Sequence, residues 1–152
     1  MAGHAPQIEI DASGLQVAVL VTQWHKEVTD GLLAGAERAL KAAGNETYEV
    51  WQVPGAFELP LAAKYAIGQG ADVVIALGCV IYGQTPHFEY VCRAATDGLT
   101  RVQLDSGVPI GFGLLTVNDL QQALDRAGLP GSNEDKGREA VEAAVAMARL
   151  SA

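Results

Sequence analysis

The run Asp72 to Ile81 (DVVIALGCVI) constrains this chain more than any other feature, because it is apolar at nearly every position and leads directly into a helix start. A strand apolar on both faces must be covered on both faces, which is the habit of parallel sheets. Tyr82-Gly83-Gln84-Thr85-Pro86-His87 follows, with Thr85 placed to cap a helix and Pro86 placed to open it. A strand feeding a helix in this way leaves several backbone N–H groups converging on one spot, backed by the positive end of the helix dipole. Such a spot suits an anion, most often a phosphate. His87 in the first turn adds an imidazole, the side chain suited to proton transfer near neutral pH.

The same alternation recurs along the chain. Gln16 to Val21 is a short apolar run. Lys26 to Ala43 carries Val28, Leu32, Ala36 and Leu40 at helical spacing and closes at Gly44. Tyr48 to Val53 reads as a less apolar strand, Pro54-Gly55 as a turn, and Phe57 to Gly68 as a helix that tolerates Pro60 near its start. A long helix is predicted over Pro86 to Leu104 and a strand over Pro109 to Val117. Asn118 with Gln121 three residues on resembles a capping box opening a short helix that ends near Gly128. A loop at Gly131 to Glu134 precedes an Ala-rich helix from Asp135 to Leu150. This order predicts an α/β chain: a three-layer α/β/α sandwich around a four-stranded parallel sheet, one domain over residues 1–152, with 1–7 as a loose tail. Ile8-Glu9-Ile10 has no partner in that sheet and is expected as a short N-terminal edge strand offered to a neighbouring subunit. Ligands in such folds sit beyond the carboxyl ends of the strands, here the loops beginning at Thr22, Pro54, Cys79 and Leu115.

Charge narrows the function. The formal net charge is −8, and no basic stripe is present, so nucleic-acid binding is not expected. A chain of this sign binds an anion only through a few local cations and backbone dipoles. No apolar run is long enough to cross a bilayer, and the first residues lack a charged-then-apolar leader, so a cytoplasmic, membrane-free protein is expected. Cys79 and Cys92 read as small buried hydrophobes, and His4, His25 and His87 show no zinc spacing with them, so no metal site is expected.

Each candidate residue has a plain structural explanation beside its functional one. His87 could be an idle helix-start histidine, but its place beside an anion-binding loop favours proton shuttling. Gly83-Gln84-Thr85 could be a simple turn; glycine with amide and hydroxyl side chains at a helix start also fits phosphate, although the Lys-Ser/Thr ending of a P-loop is missing. Glu58 is favoured in a first helical turn by the dipole alone, yet at the mouth of the sheet it can accept hydrogen bonds from hydroxyl groups. Trp24 is a loop aromatic that can stack a flat ring. Arg126 ends a short helix, where a cation is at ease; Lys136 begins one, where it is not. Both can serve an anion. Neither a nucleophile elbow nor a G-x-G-x-x-G dinucleotide fingerprint is found.

Taken together, these blocks resemble the lumazine synthase family. Gly35-Ala36, Val53 to Pro60, Gly78 to Cys92, and Gln122 through Arg126-Ala127-Gly128 to Lys136-Gly137 carry the resemblance, which spans about Gln16 to Ala148. It implies a flavodoxin-like sheet and the condensation of 5-amino-6-(D-ribitylamino)uracil with 3,4-dihydroxy-2-butanone 4-phosphate, releasing phosphate and water without metal or redox cofactor. Carried over, Trp24 stacks on the pyrimidine, and Ala56, Phe57 and Glu58 form the ribityl-binding segment. The backbone of Cys79, Val80 and Ile81 reads the pyrimidine edge, and Gly83, Gln84 and Thr85 form the phosphate loop. His87 is the general acid–base, Arg126 binds phosphate, Phe112 completes the site from the adjacent subunit, and Lys136 lies near the pocket.

Two positions depart from the family pattern. Tyr82 stands where an arginine is usual, and Gln23-Trp24-His25 replaces Arg-Phe-Asn while keeping the aromatic, as in the actinobacterial branch. The resemblance also implies a homo-oligomer with shared active sites and riboflavin synthase as a possible partner. The length of the loop from Leu129 to Asp135 favours a plain pentamer over larger shells. The rival readings are a riboflavin synthase on a related scaffold, which needs no phosphate site, and a lumazine- or flavin-binding module that has lost catalysis. Tyr82 is the motive for the second; His87, Arg126 and Lys136 together argue against it.

Overall fold

Alternating apolar side chains decide which layer each strand serves. In a computed structural model, which describes residues 3–151, four strands form one parallel sheet: β1 (Val17–Thr22), β2 (Glu49–Val53), β3 (Val73–Ile81) and β4 (Ile110–Val117), in the order β2-β1-β3-β4. β1 and β3 are the central pair, in register from Val17 opposite Val73 to Val21 opposite Leu77. β2 is an edge strand, which explains why Glu49 and Gln52 interrupt its apolar run.

Val17, Val19, Val21, Ile75 and Leu77 point to one side, where they meet α1 (Lys26–Ala42) and α5 (Lys136–Leu150). Ala18, Leu20, Val74 and Ala76 point to the other, beneath α2 (Leu59–Gly68) and α3 (His87–Ser106). Both faces are therefore covered, as the unbroken apolar strands require. A short α4 (Leu120–Leu124) links β4 to the loop before α5.

Several element ends differ from the sequence expectation. The capping box is shifted by one residue: Asp119, not Asn118, is the N-cap and accepts a hydrogen bond from the Gln122 backbone N–H at 2.8 Å. The Gln122 side chain reaches back to accept from the Asn118 N–H at 2.8 Å, one residue before the cap, in a variant of the reciprocal pair. A single 3-10 turn, Ala56–Glu58, precedes α2. α3 begins at His87 with Pro86 as its N-cap; Thr85 contributes only a long 3.4 Å contact from its Oγ1 to the His87 N–H. The same helix runs on past Leu104 and ends at Gly107, whose φ of 73° is the left-handed cap position. Ile8-Glu9-Ile10 joins no strand among the described residues. Of the expected tail, Met1 and Ala2 lie outside the described residues, as does Ala152 at the other end; Gly3 to Gln7 is exposed.

Close helix contacts replace side-chain bulk at two seams. A Cβ added to Gly137 on α5 would stand 2.0 Å from the Leu32 carbonyl oxygen of α1, a backbone atom that cannot swing aside. A Cβ on Gly98 of α3 would meet Pro60 of α2 at 2.6 Å. We predict that Gly137→Ala forces α5 off α1 and lowers unfolding stability by about 2 kcal/mol or more, measured by urea denaturation.

Candidate active site

Parallel strands all end at one edge of their sheet, and the loops leaving that edge build the cleft. An open cleft of about 540 Å³ lies beyond the carboxyl ends of β1, β2 and β3. It is lined by Trp24, His25, Gly55, Ala56, Phe57, Glu58, Cys79, Val80, Ile81, His87 and Val91. The fold thus brings together Trp24, Ala56, Phe57, Glu58, Cys79, Val80, Ile81 and His87 from the sequence-derived set.

Trp24 is 66% exposed and rests its indole edge on the Gly55 turn, where a Cβ would meet Cδ1 and Nε1 at 3.2 Å. The rest of the indole is largely exposed. Glu58 stands on the same turn: its Oε2 would lie 3.2 Å from that Cβ. Gly55 therefore lets an aromatic plane and a carboxylate share one rim.

His25, Gly55 and Val91 line the cleft without having been picked out from the sequence. His25 adopts φ 56°, the only positive-φ non-glycine among the described residues, and starts α1 by accepting hydrogen bonds from the Val28 and Thr29 N–H groups. Backbone conformations of this kind gather at functional sites. The sequence signal for His25 was its adjacency to Trp24; the left-handed turn that swings it inward carries no residue signature.

The loop between β3 and α3 is open. Gly83, Gln84 and Thr85 are exposed, and among the described residues their backbone N–H groups find no acceptor within the chain. They do not line the cleft but lie between two residues that do, Ile81 and His87. Tyr82, 57% exposed, packs edge-on against Phe88 with ring centroids 5.4 Å apart. It fills its place with an aromatic contact and supplies no cation. Burial pushes the Cys79 thiol up to about 11 and raises that of Cys92 as well. Both cysteines are free, and neither is set up as a nucleophile.

Phe112, Arg126 and Lys136 do not line this cleft. Phe112 sits on the edge strand β4 opposite Ala76 and is 48% exposed. Arg126 and Lys136 lie together elsewhere, on a clip formed by the antiparallel bridge between Ala127 and Asp135. Glu134 lies between them, with Oε2 3.5 Å from Arg126 Nε and Oε1 2.9 Å from Lys136 Nζ. Glu139 makes a further 3.3 Å pair with Lys136. Burial opposes the Lys136 charge, but the hydrogen bonds and charges of Glu134 and Glu139 outweigh it and raise its pKa above the ordinary lysine value.

A doubly wound parallel sheet with a mixed aromatic, carboxylate and imidazole cleft at its strand ends defines a small-molecule enzyme of the flavodoxin-like α/β class. The sequence model of the 6,7-dimethyl-8-ribityllumazine synthase family matches residues 14–152. Proteins of that name from Kineococcus radiotolerans and from Clavibacter michiganensis subsp. michiganensis are 63% and 60% identical to this chain. The first match covers 93% of this chain and 88% of the relative; the second covers 99% and 96%. The Leifsonia xyli subsp. xyli protein of the same name is 60% identical over 91% of this chain and 87% of its own length. The chain belongs to the 6,7-dimethyl-8-ribityllumazine synthase family, transferases of riboflavin biosynthesis.

The raised thiol pKa makes a direct prediction. In a Cys92→Ser variant, Cys79 should react with iodoacetamide at pH 8 at least roughly tenfold more slowly than a free thiol, with full reactivity restored in urea. Mass spectrometry of the time course measures it.

Proposed function

We propose that the cleft beside β1, β2 and β3 is where this chain condenses 5-amino-6-(D-ribitylamino)uracil with 3,4-dihydroxy-2-butanone 4-phosphate. The observation that carries the reading is the meeting of Trp24, Glu58 and His87 on one cleft, next to a loop with unpaired N–H groups. The pyrimidine stacks on the exposed indole of Trp24, its edge hydrogen-bonds to the strand-end backbone at Cys79 to Ile81, and the ribityl hydroxyls reach Glu58 beside Ala56 and Phe57. The phosphate takes the N–H groups of Gly83, Gln84 and Thr85.

The chemistry asks for orientation and proton transfer rather than for a strong nucleophile. The substrate amine attacks the ketone carbonyl, and loss of water gives the imine. Proton removal then expels phosphate, and the second nitrogen closes the ring with loss of water. His87, at the phosphate side of the cleft, carries protons between these steps. No electron transfer occurs in the sequence, so no redox cofactor is required.

Arg126, Lys136 and Phe112 enter the reading through a neighbouring subunit. Exposed apolar side chains are carried on α2, α3 and β4: Leu61, Tyr65, Tyr90, Leu104 and Phe112 are all about half exposed or more. Surfaces of this kind mark association sites. Association of five copies would place these three residues of one subunit against the cleft of the next. Among the described residues no helix is long and apolar enough to cross a membrane. We assign the chain to the cytoplasm, as one domain that passes its lumazine to a riboflavin synthase.

Mixing both substrates with purified protein should yield the green-fluorescent lumazine; absence of product rejects the proposal. His87→Ala should slow turnover by roughly 10²-fold without abolishing it. A folded, ligand-binding variant with no residual turnover in steady-state assay contradicts the proton-carrier role. Sedimentation should give five chains of 15.9 kDa each, and a megadalton particle would overturn the pentamer.

A further inference from the structure

We propose that Glu134 is a charge-setting, positioning carboxylate: it holds Arg126 and Lys136 side by side, cancels part of their charge, and so keeps the phosphate bound weakly enough to leave. The inference rests on the assignment of Arg126 to the substrate phosphate. The family's reaction ends with free phosphate, a dianion that two unopposed cations would retain.

The geometry shows how the opposition is built. The Glu134 backbone is tied down independently of its side chain, its N–H donating to the Asp125 carbonyl and its own carbonyl accepting from the Gly128 N–H, both at 3.0 Å. The adjoining Lys136 N–H donates to the Arg126 carbonyl, also at 3.0 Å. This ladder fixes the two cations on either side of one carboxylate. The Glu134 side chain is only 19% exposed, so water screens it poorly.

Arg126 is further oriented by a 2.9 Å hydrogen bond from Nη1 to the Gln122 carbonyl. Its contact with Glu134, through Nε, is the longer one at 3.5 Å. Its side chain is 36% exposed, which leaves the guanidinium reachable from solvent. Lys136 is balanced twice, by Glu134 and by Glu139. Arg126 and Lys136 are matched in charge by Glu134 and Glu139, and Asp125 lies near enough to Arg126 for their charges to interact, so an arriving phosphate meets oriented donors in a setting without net positive charge. It gains hydrogen bonds without a large Coulomb gain. Loss of the Glu134 charge would make the cluster one charge more positive while the amide of glutamine still accepts from Lys136.

The test uses the full-length assembled protein and inorganic phosphate as the probe. Glu134→Gln should tighten competitive inhibition by phosphate, and lower KM for the phosphorylated ketone, by on the order of three- to tenfold, as expected for one added charge at contact range near the surface. Raised ionic strength should shrink the difference. Glu134→Asp keeps the charge and should stay within about twofold of the parent. Phosphate-induced stabilisation in thermal melts gives the same comparison without turnover. If Glu134→Gln leaves phosphate binding unchanged or weakens it, while Arg126→Ala abolishes phosphate inhibition, the role of Glu134 is overturned and the phosphate assignment stands. If Arg126→Ala leaves phosphate inhibition intact, the assignment beneath it is overturned and the inference with it.

Discussion

The structure is organised around the carboxylate of Asp135. It caps α5 by accepting from the Arg138 N–H at 3.0 Å and pairs with Arg38 of α1 at 3.2 Å. It also fills the space that two glycines leave: a Cβ on Gly35 would stand 2.1 Å from its Oδ1, and one on Gly128 would stand 2.6 Å from its Cγ. One side chain therefore sets the approach of α1, the start of α5 and the return of the loop from α4. Glycine at 35 and 128 is required by that approach, and Gly128 also takes φ 67°. The clip carrying Arg126, Glu134 and Lys136 hangs from this point, so the position of the cations follows from a helix cap.

Two separate groups of residues result. One is the cleft that brings Trp24, Glu58 and His87 together, built from strand ends, the loops that leave them and the start of α3. The other is a balanced charge cluster on the far loop, with Phe112 exposed on an edge strand. Within a single chain these do not meet. In the phosphate-binding role proposed for them, Arg126 and Lys136 of this chain of net charge −8 are held in one place, each paired with Glu134.

Much of this architecture was legible in the sequence because strand burial writes itself as uninterrupted apolar runs. β1 and β3 were clear for that reason; β2 was less so because an edge strand bears Glu49 and Gln52 toward water. Asn118 and Asp119 are both good caps with glutamine three residues on, and spacing alone could not choose. The choice follows from β4, which stays paired through Val117 opposite Ile81, and from Asp119, whose dihedrals are still extended immediately before the helix. The end of α3 was missed by two residues because Asp105 and Ser106 look like loop residues; Gly107 is the true stop. The cleft residues Ala56 to Glu58, Cys79 to Ile81 and His87 were readable because they fall in two short stretches of the chain. The ion pair between Arg126 and Glu134 was not, since it depends on a loop folding back by a single bridge pair.

The contact between Pro60 and Gly98 has a mechanical meaning for the imidazole. Gly98 lies about three turns along the helix that His87 begins, and the pyrrolidine ring pressed into that notch stops the rod from rolling or sliding. In the proton-carrying role proposed for it, His87 would work from a braced helix, and adjustment during the reaction would fall to the substrate and to the short glycine-bearing link at residues 82–86.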